Sequence, residues 1–178
     1  MRKVKAPLLI IVLFFAISLI NGCSPSINWG SISYNHNLVV TYGLFQLEMR
    51  ITGSVPFSNS SMGLVDTDHM YQGTGTCTVS ISGVADECVI SGSGTNSVTF
   101  SGNEYCNKIL FNFNEQWYQT GSFTFTCPDG TQTITLPSET ITHKLTFPTE
   151  DGHTIERPSS GMGVSGTYSW TLHIDELI

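Results

Sequence analysis

The stretch LFQLEMRITGSV, residues 44 to 55, alternates apolar and polar side chains with hardly a break. Phe45, Leu47, Met49, Ile51 and Val55 share one phase, and Gln46, Glu48, Arg50, Thr52 and Ser54 share the other. Successive strand side chains point to opposite faces, so a period of two over this length marks a strand with one buried face. The pattern returns further along the chain. TCTVSIS puts Cys77, Val79 and Ile81 inward, and SFTFTC does so with Phe123, Phe125 and Cys127. VSGTYSWTLHI places Val164, Tyr168, Trp170, Leu172 and Ile174 on one side, with His173 on the other. Shorter strands are expected over 87–91, 97–101, 108–114, 132–136 and 140–147, and KILFNF is apolar on both faces near its start, as a covered central strand would be. Clusters of Gly, Ser, Asn and Pro recur at roughly 8 to 12 residues, and no window carries a helical period. These features predict an all-β fold of about nine short strands. The expected form is an antiparallel β-sandwich, immunoglobulin-like or jelly-roll-like, with a lipocalin-like β-barrel as the alternative.

The chain has 178 residues, 12% of them charged and 40% hydrophobic, which suits a single domain with a real core. Its N-terminus is built differently. Arg2, Lys3 and Lys5 precede an uncharged apolar run from Ala6 to Ile20, then Asn21, Gly22 and Cys23. A bilayer core needs about 20 helical residues, so this run is short for a span and fits the core of a cleavable signal peptide.

Ile20-Asn21-Gly22-Cys23 resembles the lipobox of bacterial lipoprotein precursors: an aliphatic residue, two small residues and a cysteine, with Asn21 standing where a small residue is usual. The resemblance covers residues 1–24 only. It implies that residues 1–22 are cleaved, that the Cys23 thiol carries a diacylglyceryl group, and that the membrane is a partner through the acyl chains. Ser24 after the cysteine resembles the outer-membrane sorting signal of Gram-negative lipoproteins, which implies a cell-envelope location. Residues 23–37, polar with Pro25 and Gly30, are expected as a tether or late edge strand, and residues 38–178 as one β domain.

Cysteine arithmetic bears on the same question. Five cysteines is an odd number for an exported chain; lipid on Cys23 leaves Cys77, Cys88, Cys106 and Cys127 for two disulfides. No Cys-x-x-Cys spacing occurs, which argues against a thioredoxin-type site or zinc knuckle. A hairpin turning at Gln116 and Trp117 would set Cys106 opposite Cys127, and a turn at Ser82 and Gly83 would set Cys77 opposite Cys88. That connectivity is favoured, with the other two open. Removal of residues 1–22 leaves Arg50, Lys108, Lys144 and Arg157 against 14 acidic residues, a formal charge of −10. Such a surface repels phosphate backbones, so nucleic acid is not an expected partner.

Motifs with chemistry are few. GMGVSG, residues 161 to 166, matches G-x-G-x-x-G in letters but precedes a strand, whereas a dinucleotide site needs the start of a helix; it reads as a turn or bulge. Two loops carry metal-ligating side chains: 56–75 holds Asp66, Asp68 and His69, and 148–161 holds Glu150, Asp151, His153 and Glu156. Convergence of Asp66, Asp68, His69 and His153 would bind a divalent cation and open a route to metal-dependent hydrolysis. Without it, no cofactor is expected. Trp117 and Tyr118, at the expected hairpin tip, are candidate ligand-stacking residues. His143 falls on the apolar phase with Ile141, Leu145 and Phe147 and reads as a buried neutral imidazole. The expected function is a lipid-anchored, non-catalytic binding or structural module with a protein or glycan partner. The alternatives are a periplasmic metal-dependent hydrolase and a lipocalin-like carrier of an apolar ligand.

Overall fold

The computed structural model describes residues 27–43, 45–60, 70–105, 107–135, 138–161 and 163–177. Among them run nine strands and no helix: β1 (Ile27–Tyr42), β2 (Phe45–Asn59), β3 (Met70–Ala85), β4 (Cys88–Tyr105), β5 (Lys108–Cys127), β6 (Gly130–Ile134), β7 (Glu139–Pro148), β8 (Thr154–Gly161) and β9 (Val164–Leu177). They form one antiparallel sheet in the order β6-β5-β4-β3-β2-β1-β9-β8. The long β5 serves two neighbours on its far side, with Lys108–Trp117 paired to β7 and Phe123–Cys127 paired to β6.

The all-β antiparallel architecture read from the alternation is what forms. The sheet curls so that its halves pack face to face. Tyr34 of β1 lies edge-on to Phe113 of β5 at 6.1 Å, Phe57 of β2 meets Phe111 of β5 at 5.4 Å, and Trp170 of β9 stacks on Phe113 at 6.5 Å. β5 is not a neighbour of β1, β2 or β9 in the sheet, so the rings fill the space between two layers, as in a sandwich. Among the described residues no ladder joins β7 to β8, and the sheet is not a closed barrel. Those two edges approach each other instead: the Arg157 guanidinium donates to the Lys144 carbonyl at 2.7 Å.

Three expectations are corrected. First, the segment up to residue 37, expected as a tether or a late edge strand, is from Ile27 an interior strand paired on both sides, with Ile27, Ile32, Tyr34 and His36 buried between β2 and β9. Its outward residues, Ser31, Ser33, Asn35 and Asn37, make the segment look polar, although every second side chain belongs to the core. Second, the strands are longer than predicted, with 16, 18 and 20 residues in β3, β4 and β5. Many Gly and Ser clusters taken as turns lie inside these strands. Gly73, paired with Phe100, leaves room for its ring, since a Cβ there would stand 2.3 Å from it. The GMGVSG run does turn the chain: Gly161 pairs with Val164 between β8 and β9, and Gly166, at φ +130, runs so close to the Asn37 carbonyl that a Cβ would lie 2.2 Å from its oxygen.

Third, the favoured disulfide pairing does not form. β3 and β4 turn at Asp86 and Glu87, with Ala85 paired to Cys88, rather than at Ser82 and Gly83. This sets Cys77 opposite Asn96, while Cys88 begins β4 beside the end of β5 and bonds Cys127 across a Cα–Cα distance of 4.2 Å. Cys77 is a buried free thiol. Cys106 lies outside the described residues, as does Cys23.

Candidate functional site

β5 runs on through Gln116 and Trp117, where the hairpin was expected, because its odd-numbered side chains from Ile109 to Trp117 face the core. Ile109, Phe111, Phe113, Glu115 and Trp117 are buried in sequence. Glu115 is therefore a carboxylate in the middle of an aromatic interior, 1% exposed. Burial of an isolated charge is costly, so its partners decide whether it is tolerated. The Trp117 Nε1–H donates to Oε2 at 3.0 Å and the Trp170 Nε1–H to Oε1 at 3.3 Å. His36 of β1 is fully buried, with Nε2 3.6 Å from Oε1. Its Nδ1 accepts the Ser169 amide at 3.1 Å, which places the proton of the neutral ring on Nε2, facing Glu115.

The rings around this pair are stacked in a block. Tyr168 and Trp170 lie parallel with centroids 5.8 Å apart, and the His36 and His143 imidazoles sit against them. Burial alone would push the Glu115 pKa up. His36, Trp117 and the neighbouring His143 favour the charged form more strongly, so the carboxyl is held below its ordinary range. Burial has the opposite consequence for His143: it holds the imidazole below its usual value despite the attraction of Glu115. The Cys77 thiol is pushed up to about 12 by burial and by Glu115. The Tyr34 hydroxyl is pushed far above its usual range by burial, Glu115 and Cys77. A second buried pair, the Tyr71 hydroxyl donating to the Glu104 carboxylate, sits apart from this block. The cluster thus holds a charge and orients it at a point where His36 and Glu115 are themselves closed off from solvent.

The opposite face of the same strands has different chemistry. On β3 the outward residues are Gln72, Thr74, Thr76, Thr78, Ser80 and Ser82. Their direct partners on β4 are Ser101, Thr99, Ser97, Thr95, Ser93 and Ser91. On β5 the row continues with Asn112, Asn114 and Gln116, and the Ser97 hydroxyl donates to the Gln116 amide oxygen at 3.4 Å. Threonine suits the solvent face of a strand, and cross-strand Thr and Ser pairs contribute roughly 0.2–1 kcal/mol each. No charged residue interrupts residues 72–82 or 91–101. A shallow depression of about 400 Å³ opens here, bordered by Gln72, Thr74, Thr99, Ser101 and Asn114 with Gly73 and Phe100 beneath.

The predicted site residues are placed differently. Trp117 is not on a tip: it is 5% exposed and turned onto Glu115, and the side chain of Tyr118 lies outside the described residues. Asp66, Asp68 and His69 also lie outside them. His153 is half-buried, edge-on to Phe147. Among the described residues no group of three His, Cys, Asp or Glu side chains is placed to hold a metal ion. His143 faces the core as expected, half-buried and packed on Trp170. The sequence reading missed Glu115 and His36. The signal was present in the phase: Glu115 follows Phe111 and Phe113 at intervals of two, and His36 follows Ile32 and Tyr34. Comparison with known protein families, with curated proteins and with solved structures finds no match for this chain.

Proposed function

We propose that this chain is a lipoprotein of the bacterial cell envelope, anchored in the outer membrane through acyl chains on Cys23, and that it binds an uncharged glycan without catalysing a reaction. One observation carries the reading. The buried pair at the centre of the aromatic block is sealed inside, with His36 at 0% and Glu115 at 1% exposure, whereas the polar side chains around the exposed depression are all hydroxyls and amides. Such groups exchange hydrogen bonds with sugar hydroxyls and give phosphates or carboxylates no counter-charge. The filled interior supports a surface binder over a carrier with an apolar lumen. The Cys88–Cys127 disulfide agrees with an oxidising compartment.

The test is calorimetric titration of the mature protein with a panel of neutral envelope oligosaccharides. Binding that weakens about tenfold in Asn114→Ala is the expected result, equivalent to one net hydrogen bond of about 1.4 kcal/mol. Absence of binding across the panel at millimolar concentration, or binding untouched by Asn114→Ala and Thr99→Val, contradicts it.

A further inference from the structure

The end of the sheet that follows Cys23 differs from the rest of the surface. β1 begins at Ile27, four residues after Cys23. Fully extended, four residues span at most about 14 Å. The acyl chains of the proposed lipoprotein would therefore hold this end of the sheet close to the bilayer.

The register brings the end of β2, the start of β3, the end of β4, the start of β5 and the end of β9 to the same place. Ile27 pairs with Leu177, Trp29 with Ser58, Asn59 with Tyr71, Met70 with Asn103 and Tyr105 with Lys108. Among the described residues at this end, four large apolar side chains stand in solvent: Trp29 at 47%, Met70 at 47%, Tyr105 at 57% and Leu177 at 51% exposure. The hydrogen-bonded row of Trp29 runs through Ser58, Gln72 and Ser101, so Met70 lies two residues beyond it and Tyr105 four. At 3.3 Å per residue the four side chains fall within a band of roughly 13 Å.

The other large apolar residues exposed among the described ones, Val84, Val89 and Ile134, are aliphatic and sit toward the opposite end, where Asp86, Glu87 and Asp129 occupy the turns. Aromatic side chains with one polar atom favour the layer between water and acyl chains, and tryptophan and tyrosine are the residues enriched there. The exposed acids Glu150, Asp151, Asp175 and Glu176 are also at this end, Asp151 accepting from the Ile174 amide, against Lys108 as an exposed cation. This negative excess would be repelled by an anionic headgroup layer and fits a zwitterionic one better.

We infer that this end of the sheet is a membrane-resting surface, with Trp29, Met70, Tyr105 and Leu177 seated among the headgroups of a zwitterionic bilayer. The inference rests on the reading of Cys23 as acylated. It assigns the domain an orientation, with strands rising from the membrane and the turns at Asp86 and Asp129 farthest from it.

The experiment uses the membrane-extracted protein in phosphatidylcholine vesicles, with and without bromine on the upper acyl chain. Of the three tryptophans, Trp117 and Trp170 are 5% and 0% exposed, so Trp29 supplies the solvent-sensitive emission. In plain vesicles that emission shifts to shorter wavelength, and in brominated vesicles it is quenched; Trp29→Phe protein shows neither effect. Trp29 emission that is the same in both vesicles and in detergent-free buffer overturns the inference. Mass spectrometry of the same sample separates the causes. Acylated Cys23 without quenching removes this inference alone, and unmodified Cys23 removes it together with the lipoprotein reading.

Discussion

Asn114 and Glu115 are neighbours in the chain and opposites in environment. Asn114 points out of β5 to the rim of an uncharged depression, and Glu115 points into a packed block of indole, phenol and imidazole rings. The same division runs across β3, β4 and β5, hydroxyls and amides outside and rings inside. Reactive residue types are not enough to make a reactive site. Inside, indole N–H groups and an imidazole surround a carboxylate, while outside the same strands present hydroxyls and amides to solvent.

The largest test of this division is Trp170→Ala. It removes a fully buried ring from both the aromatic block and the Glu115 donor set, with an expected cost of about 3–5 kcal/mol in denaturant unfolding. Loss of less than about 1 kcal/mol would mean that the block is not packed as described. Glu115→Gln keeps the shape but turns one oxygen into a donor facing indole N–H groups that need an acceptor. About 1–3 kcal/mol is expected from leaving such a group unsatisfied.

Acid should expose the same cluster. Glu115 and His143 are both held below their ordinary values, 4.5 and 6.5 respectively, so the unfolded chain takes up protons that the folded one refuses. Their contribution is complete above pH 6.5. The share of His143 falls as pH drops from there, and that of Glu115 persists to about 4.5 and falls below it. Melting followed against pH is expected to decline in these two stages, with the lower stage missing in Glu115→Gln. At the small end, Thr78→Ala on the outer face is expected to change stability by no more than about 0.5 kcal/mol. A much larger loss would show that the outer row is structural.

Alternation made the strands of 45–55, 77–81 and 164–174 legible because one face of each is buried and the other is not. Averaged polarity hid β1. Its serines and asparagines dominate the composition, and only the phase of Ile32, Tyr34, His36 and Leu38 reveals the buried side. Glycines misled for a related reason: Gly73 reads as part of the 56–75 loop in a linear sequence, and the need for it appears only when Phe100 lies across from it. Disulfide pairing depended on where the β3–β4 hairpin turned, and the difference between Ser82 and Asp86 exchanged the partner of Cys88. Glu115 and His36 stand some 80 residues apart and meet only through the curl of the sheet, so their pairing was not legible, although each stood out on an apolar phase.

The most direct measurement of the division between faces compares Asn114→Ala with Glu115→Gln for neutral oligosaccharide affinity and melting temperature together. The account predicts an affinity loss of about tenfold with unchanged melting for Asn114→Ala. For Glu115→Gln it predicts unchanged affinity with melting lowered by about 3–10 °C. A Glu115→Gln chain that loses binding while Asn114→Ala keeps it would contradict the account and move the function to the interior.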